Sequence, residues 1–112
     1  MPILDADYSR VDYEDMAKAI GLKSKHIPIL IANFIEESVS ILNALEENIA
    51  SRDYEKIRSS AHEIKGSAGN LKFNEVYDMA KEMEFSAAKQ DMDFEYEDYF
   101  DAIKSAIGTI SL

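Results

Sequence analysis

With 112 residues, 22 acidic against 12 basic side chains and a formal charge of -10, the chain fits one acidic domain with a single core and leaves no length for a separate catalytic module. A charge this negative is repelled by a phosphate backbone, which argues against nucleic acid as a partner. The absence of cysteine excludes disulfides, thiolate metal sites and thiol nucleophiles.

The first residues, MPILDADYSR, have neither the basic region nor the apolar core of a signal peptide, and no uncharged run approaches the roughly 18 residues of a membrane span. A cytoplasmic address without membrane contact is therefore expected. Beyond this lead-in the apolar periodicity is helical nearly throughout. Asp12 can cap a short first helix with Met16, Ala17 and Ile20 on its apolar side and Gly21 at its end. A long second helix follows, with Ile27, Leu30, Ile31, Phe34, Ile41, Leu42, Leu45 and Ile49 at three and four residue spacing, ending near Ser51. Pro28 falls in its first turn, where a missing amide is tolerated.

Asp53 offers an N-cap for a third helix whose apolar line is Ile57, Ala61, Ile64, Ala68 and Leu71. Asn74 can start a fourth, with Val76, Met79, Ala80, Met83 and Ala87 inside. A last helix is expected from Asp91 or Asp93, burying some of Tyr96, Tyr99, Phe100, Ile103, Ile107 and Ile110. Short links favour antiparallel neighbours. Residues 1–112 thus read as one all-α domain, an antiparallel four-helix bundle with a short additional N-terminal helix. The aromatic and methionine residues on these lines belong to a core rather than to a cofactor site.

The third helix carries an anomaly, AHEIKGSAG at 61–69. At about 100° per residue its apolar line fixes the core direction, and His62 lies about 140° away from it, with Arg58, Lys65, Gly66 and Gly69 on the same outward arc. Each glycine costs about 1 kcal/mol against alanine inside a helix. Without side chains at Gly66 and Gly69 the imidazole stands over bare backbone, which another protein can approach closely. From Arg52 to Lys72 there are five basic residues against three acidic ones, an excess of positive charge within a negative chain, so an anionic group is expected there.

His62, Ile64, Lys65, Gly66, Ser67 and Ala68 closely resemble the signature of histidine-containing phosphotransfer (HPt) domains, and the likeness extends from FIEESVSILNAL to AKEMEFSAAKQ. The resemblance implies phosphorylation of His62 by an aspartyl phosphate on a receiver domain, or the reverse transfer, with Lys65 steadying the phosphoryl group and Gly66 clearing the approach. It also places Glu84 against the other ring nitrogen. Arg58, Lys65 and Gly69 are expected to rim a docking surface with an apolar centre. The implied partners are response-regulator receivers and a sensor histidine kinase, and the magnesium such transfers need belongs to the receiver's acidic pocket. The chain itself is expected to hold no cofactor or metal and to be a monomer. It has no nucleotide-binding motif, so it reads as a phosphocarrier and not as a kinase.

The same string also resembles the N-terminal phosphoacceptor domain of chemotaxis-type histidine kinases, while the lead-in ILDADYSRVDYEDMAKAIGL looks more like that of relay proteins. An adaptor that binds receivers without being phosphorylated belongs to another class, and would have lost the histidine or the lysine. His26, with no Lys-Gly sequel, reads as a surface residue, and two distant histidines make a poor metal site. Many relatives have glycine where Lys72 stands, which leaves the end of the third helix open to a different turn.

Overall fold

The computed structural model describes residues 1–111 and holds five α-helices with no strand among them. The first, α1 (Tyr13–Ile20), starts where Asp12 accepts hydrogen bonds from the amides of Glu14 and Asp15, and it ends on Gly21 at φ 75°. A 3-10 turn at Ser24–His26 leads into α2 (Ile27–Ala50), with Pro28 in the first turn. Then come α3 (Tyr54–Asn70), whose N-cap Asp53 accepts from the Lys56 amide, α4 (Asn74–Ala88) and α5 (Tyr96–Gly108). Each helix leaves one apolar stripe to bury, and the chain satisfies all of them in an antiparallel four-helix bundle of α2 to α5 with α1 packed against α2. Ile31, Leu45, Ile57, Val76, Met79, Met83 and Ile103 are all fully buried at its centre.

By length and mean hydropathy, 1.3 over its most apolar stretch, the segment Ser24–Ala50 could cross a membrane. Its apolar stripe is instead the bundle's own core, from Ile27 to Ile49, while Glu36, Glu37, Glu46 and Glu47 lie outside.

The last helix begins later than its acidic lead-in suggests. Asp91 accepts from the Asp93 amide at 2.9 Å, and the Tyr96 hydroxyl donates to the Asp91 carbonyl at 2.8 Å, so 91–95 form a bent connection and not a first turn. Aspartate competes for the backbone in this way wherever a turn is the better use of its oxygen.

At the end of α3 a lysine takes the position that a glycine usually fills at such a helix end. Lys72 adopts φ 61°, its amide donates to the Gly69 carbonyl, and the Phe73 amide reaches back to Ala68. This pair of bonds is a Schellman ending, which needs one left-handed residue, here without the glycine that usually relieves it. Arg52 and Gln90 end α2 and α4 in the same way, at φ 52° and 55°.

Candidate functional site

The short connection from α3 to α4 sets which residues meet across the pair. Residues placed symmetrically about the buried Phe73 face each other, and two such pairs matter: Gly69 with Tyr77, and His62 with Glu84. The buried Ala61 and Ile64 hold α3 on its inner stripe, which turns the His62 side chain outward and leaves it 64% exposed. Glu84 comes from α4 and is only 19% exposed.

One carboxylate serves two donors. Glu84 Oε2 lies 2.8 Å from His62 Nδ1, and Oε1 lies 2.7 Å from Lys65 Nζ. Burial pushes the Glu84 carboxyl up, but the hydrogen bonds from Lys65 and His62 outweigh it and hold the group below its ordinary value. Glu84 is therefore an anion with nothing to donate, so Nδ1 must carry the proton on that bond. In the neutral ring the lone pair is then at Nε2, on the outer edge of the imidazole. That edge is unobstructed: Gly66, one turn on, is exposed, and a Cβ built there would meet nothing within 4 Å.

Gly69 is a different case. A Cβ there would stand 3.1 Å from the Tyr77 ring, so its missing side chain makes room for α4 instead of leaving open surface. The reading of both glycines as one bare patch holds for Gly66 and gives way at Gly69, because the register that joins His62 to Glu84 also brings Tyr77 against α3. Arg58 is exposed on the outward side, and both it and Lys65 border a surface groove over α4. Ser67, behind the site, donates to Glu37 of α2 at 3.2 Å. His26 lies exposed at the N-cap of α2. Among the described residues no three histidine, aspartate or glutamate side chains gather to hold a metal ion.

Two features of the site do not follow from the apolar line of α3. The first is that Lys65 Nζ rests on Glu84 Oε1, a pairing across helices that no spacing within α3 reveals. Phe85 is the second, and the sequence carries a signal for it: it stands off the inner line Val76, Met79, Ala80, Met83 and Ala87, and it is 64% exposed. Lys89 lies 4.4 Å over its ring.

The model of the Hpt domain family matches residues 29–110, most of the chain and all four bundle helices apart from the first two residues of α2. No curated protein and no solved structure matches the chain.

Proposed function

The chain belongs to the Hpt domain family, phosphocarriers of histidine phosphotransfer relays, and on that premise we propose that His62 is the phosphoacceptor of an intermediate step between receiver domains. The observation that carries this reading is the bond from His62 Nδ1 to Glu84, which leaves Nε2 as the exposed nucleophile. In the transfer, the Nε2 lone pair attacks the phosphorus of a receiver's aspartyl phosphate. The N–P bond forms as the bond to the aspartate oxygen breaks, and the aspartate leaves as a carboxylate. No proton has to move: Nδ1 keeps its hydrogen, and the positive ring that results faces the Glu84 carboxylate. The return step reverses these bonds toward a second receiver.

Lys65 is the cation within reach of the phosphoryl oxygens, and Gly66 gives the partner its close approach. Arg58 and Phe85 supply charge and apolar surface to the docking face, whereas Gly69 contributes by letting α4 pack. The magnesium for the reaction is the receiver's. The carrier works in the cytoplasm and takes its phosphoryl group from a receiver or a kinase, not from a nucleotide.

The test is to mix the purified chain with a phosphorylated receiver and magnesium. We expect an acid-labile, base-stable label that is lost in His62→Gln while helicity is retained. A label that persists in His62→Gln sinks the assignment, and labelling by ATP alone sinks the carrier reading.

A further inference from the structure

A groove of about 940 Å³ runs over the outer side of α4. On one side it is bordered by Arg58 and Lys65 of α3, and Lys81 and Phe85 stand within it. The far wall is made by Met1 and Ile3. Because Lys65 and Glu84 also line it, the groove is continuous with the surroundings of His62. Met1 and Phe85 are large apolar side chains, 94% and 64% exposed, and exposed apolar surface next to a reactive group points to a protein partner.

The far wall is an ordered strap. The Ile3 amide donates to Met79 Sδ at 3.4 Å, and the Tyr8 amide to Thr109 Oγ1 at 2.8 Å. The Tyr8 ring lies 4.6 Å from that of Phe73, and its hydroxyl donates to Glu75 and accepts from the Val76 amide. That last bond has a reason in the sequence. The N-cap of α4 is Phe73, which offers no side-chain acceptor, so an amide of the first turn is left for a distant hydroxyl to satisfy. Residues 1–11 lie outside the part of the chain that matches the family model, which covers residues 29–110.

We propose that the strap, through Ile3 and Met1, determines which receivers this carrier serves. The inference rests on His62 being the phosphoacceptor. The lining of the groove combines the cations Arg58, Lys65 and Lys81 and the carboxylates of Asp78 and Glu82 with the apolar Phe85, Ile3 and Met1. A partner that places an acidic pocket over His62 must therefore lay a projecting apolar side chain on the strap side, and a receiver lacking one leaves that wall uncovered. Charge near His62 guides the encounter, while apolar fit at the strap sets how long the complex lasts.

Phosphoramidate, a small phosphodonor that needs no docking, separates this inference from the reading beneath it. Ile3→Ala and Ile3→Glu are compared with the wild type and with Val39→Glu, a control on an exposed position of α2. Melting curves check the fold of each. We expect all four proteins to be labelled by phosphoramidate at His62 to the same extent. Discharge of the labelled proteins into a panel of receivers from the same genome should then be about tenfold slower for Ile3→Glu with the best wild-type acceptor, less so for Ile3→Ala, and unchanged for Val39→Glu. The differences between receivers should shrink in the same order. Unchanged discharge rates across the panel overturn the strap's role, as does a change in molecular mass with Ile3→Glu, which would mark the groove as a contact between copies. Failure of phosphoramidate and of every receiver to label His62 overturns the phosphoacceptor reading instead.

Discussion

The two sides of α3 are built to opposite rules. Ile57, Ala61, Ile64 and Ala68 are at most 1% exposed, packed on every side, and interchangeable in chemistry with other apolar residues of the same shape. His62, Lys65 and Gly66 stand a few residues away on the same helix, where the chemistry of each side chain, or at Gly66 the absence of one, is what counts. The inner side decides whether the helix is held, and the outer side decides what the held helix can do. Substitutions should therefore sort by side, with stability and transfer moving independently.

Ile64→Ala should give the largest effect. Truncating a fully buried isoleucine removes apolar contact and leaves a cavity, at a cost of about 2–5 kcal/mol. Urea denaturation should show that loss, while phosphoramidate labelling per folded molecule stays at the wild-type level. A labelling defect without a stability loss would mean that the two sides are not separable.

Glu84→Gln sharpens the contrast from the other helix. The amide can still accept a bond from Nδ1 but no longer carries a charge, so transfer should slow on the order of tenfold and survive. Nitrogen-15 spectra of the imidazole should show the Nδ1-protonated tautomer dominating in the wild type and mixed with the other in the variant. An unchanged tautomer ratio would disconnect Glu84 from the ring.

At the end of α3, Lys72→Gly should add about 1 kcal/mol by removing the Cβ strain of a left-handed residue, with no effect on transfer. A loss of stability would show that the lysine side chain holds the turn. The two glycines then divide the outer side itself. Gly66→Ala should raise stability by up to about 1 kcal/mol, since helix propensity improves and nothing obstructs the methyl group. Gly69→Ala has the same propensity gain but must displace the Tyr77 ring, so its melting point should rise less. Equal shifts would deny the crowding at Gly69.

The smallest effect is a pH dependence. Glu84 has a folded pKa below its unfolded value of about 4.3, so its contribution to stability is fully present above that pH and is lost as pH falls through the lower, folded value. The stability difference between wild type and Glu84→Gln should accordingly shrink on acidification below about pH 4.3. A difference independent of pH would show that the ion pair adds nothing to the fold.

Helix order and the core could be read from the sequence because each stripe repeats at helical spacing, and Asp12, Asp53 and Gly21 mark ends by their own side chains or lack of one. The start of α5 is not legible there, because Asp91 and Asp93 look alike as cap and as turn residues, and only the Tyr96 hydroxyl reaching back decides between them. At the site, the outward direction of His62 follows from rotation along one helix. Glu84 was placed by family likeness and not by geometry, since pairing across helices depends on where the α3–α4 turn pivots. The division of labour between Gly66 and Gly69 needed the position of Tyr77, which periodicity within α3 does not contain.

The Tyr8 latch has a consequence for the order in which the molecule assembles. Its hydroxyl meets Glu75 across 67 residues of chain, whereas α3 and α4 join through a turn of three residues between Asn70 and Asn74. Closing a long loop costs more entropy than closing a short one, so local helix pairs form first and distant straps close onto them. The His62–Glu84 pair is expected to exist before the strap settles. In refolding, burial of Tyr8 should lag behind helix formation, and on the reading proposed above the site at His62 would be complete for an interval before the wall that selects its partners.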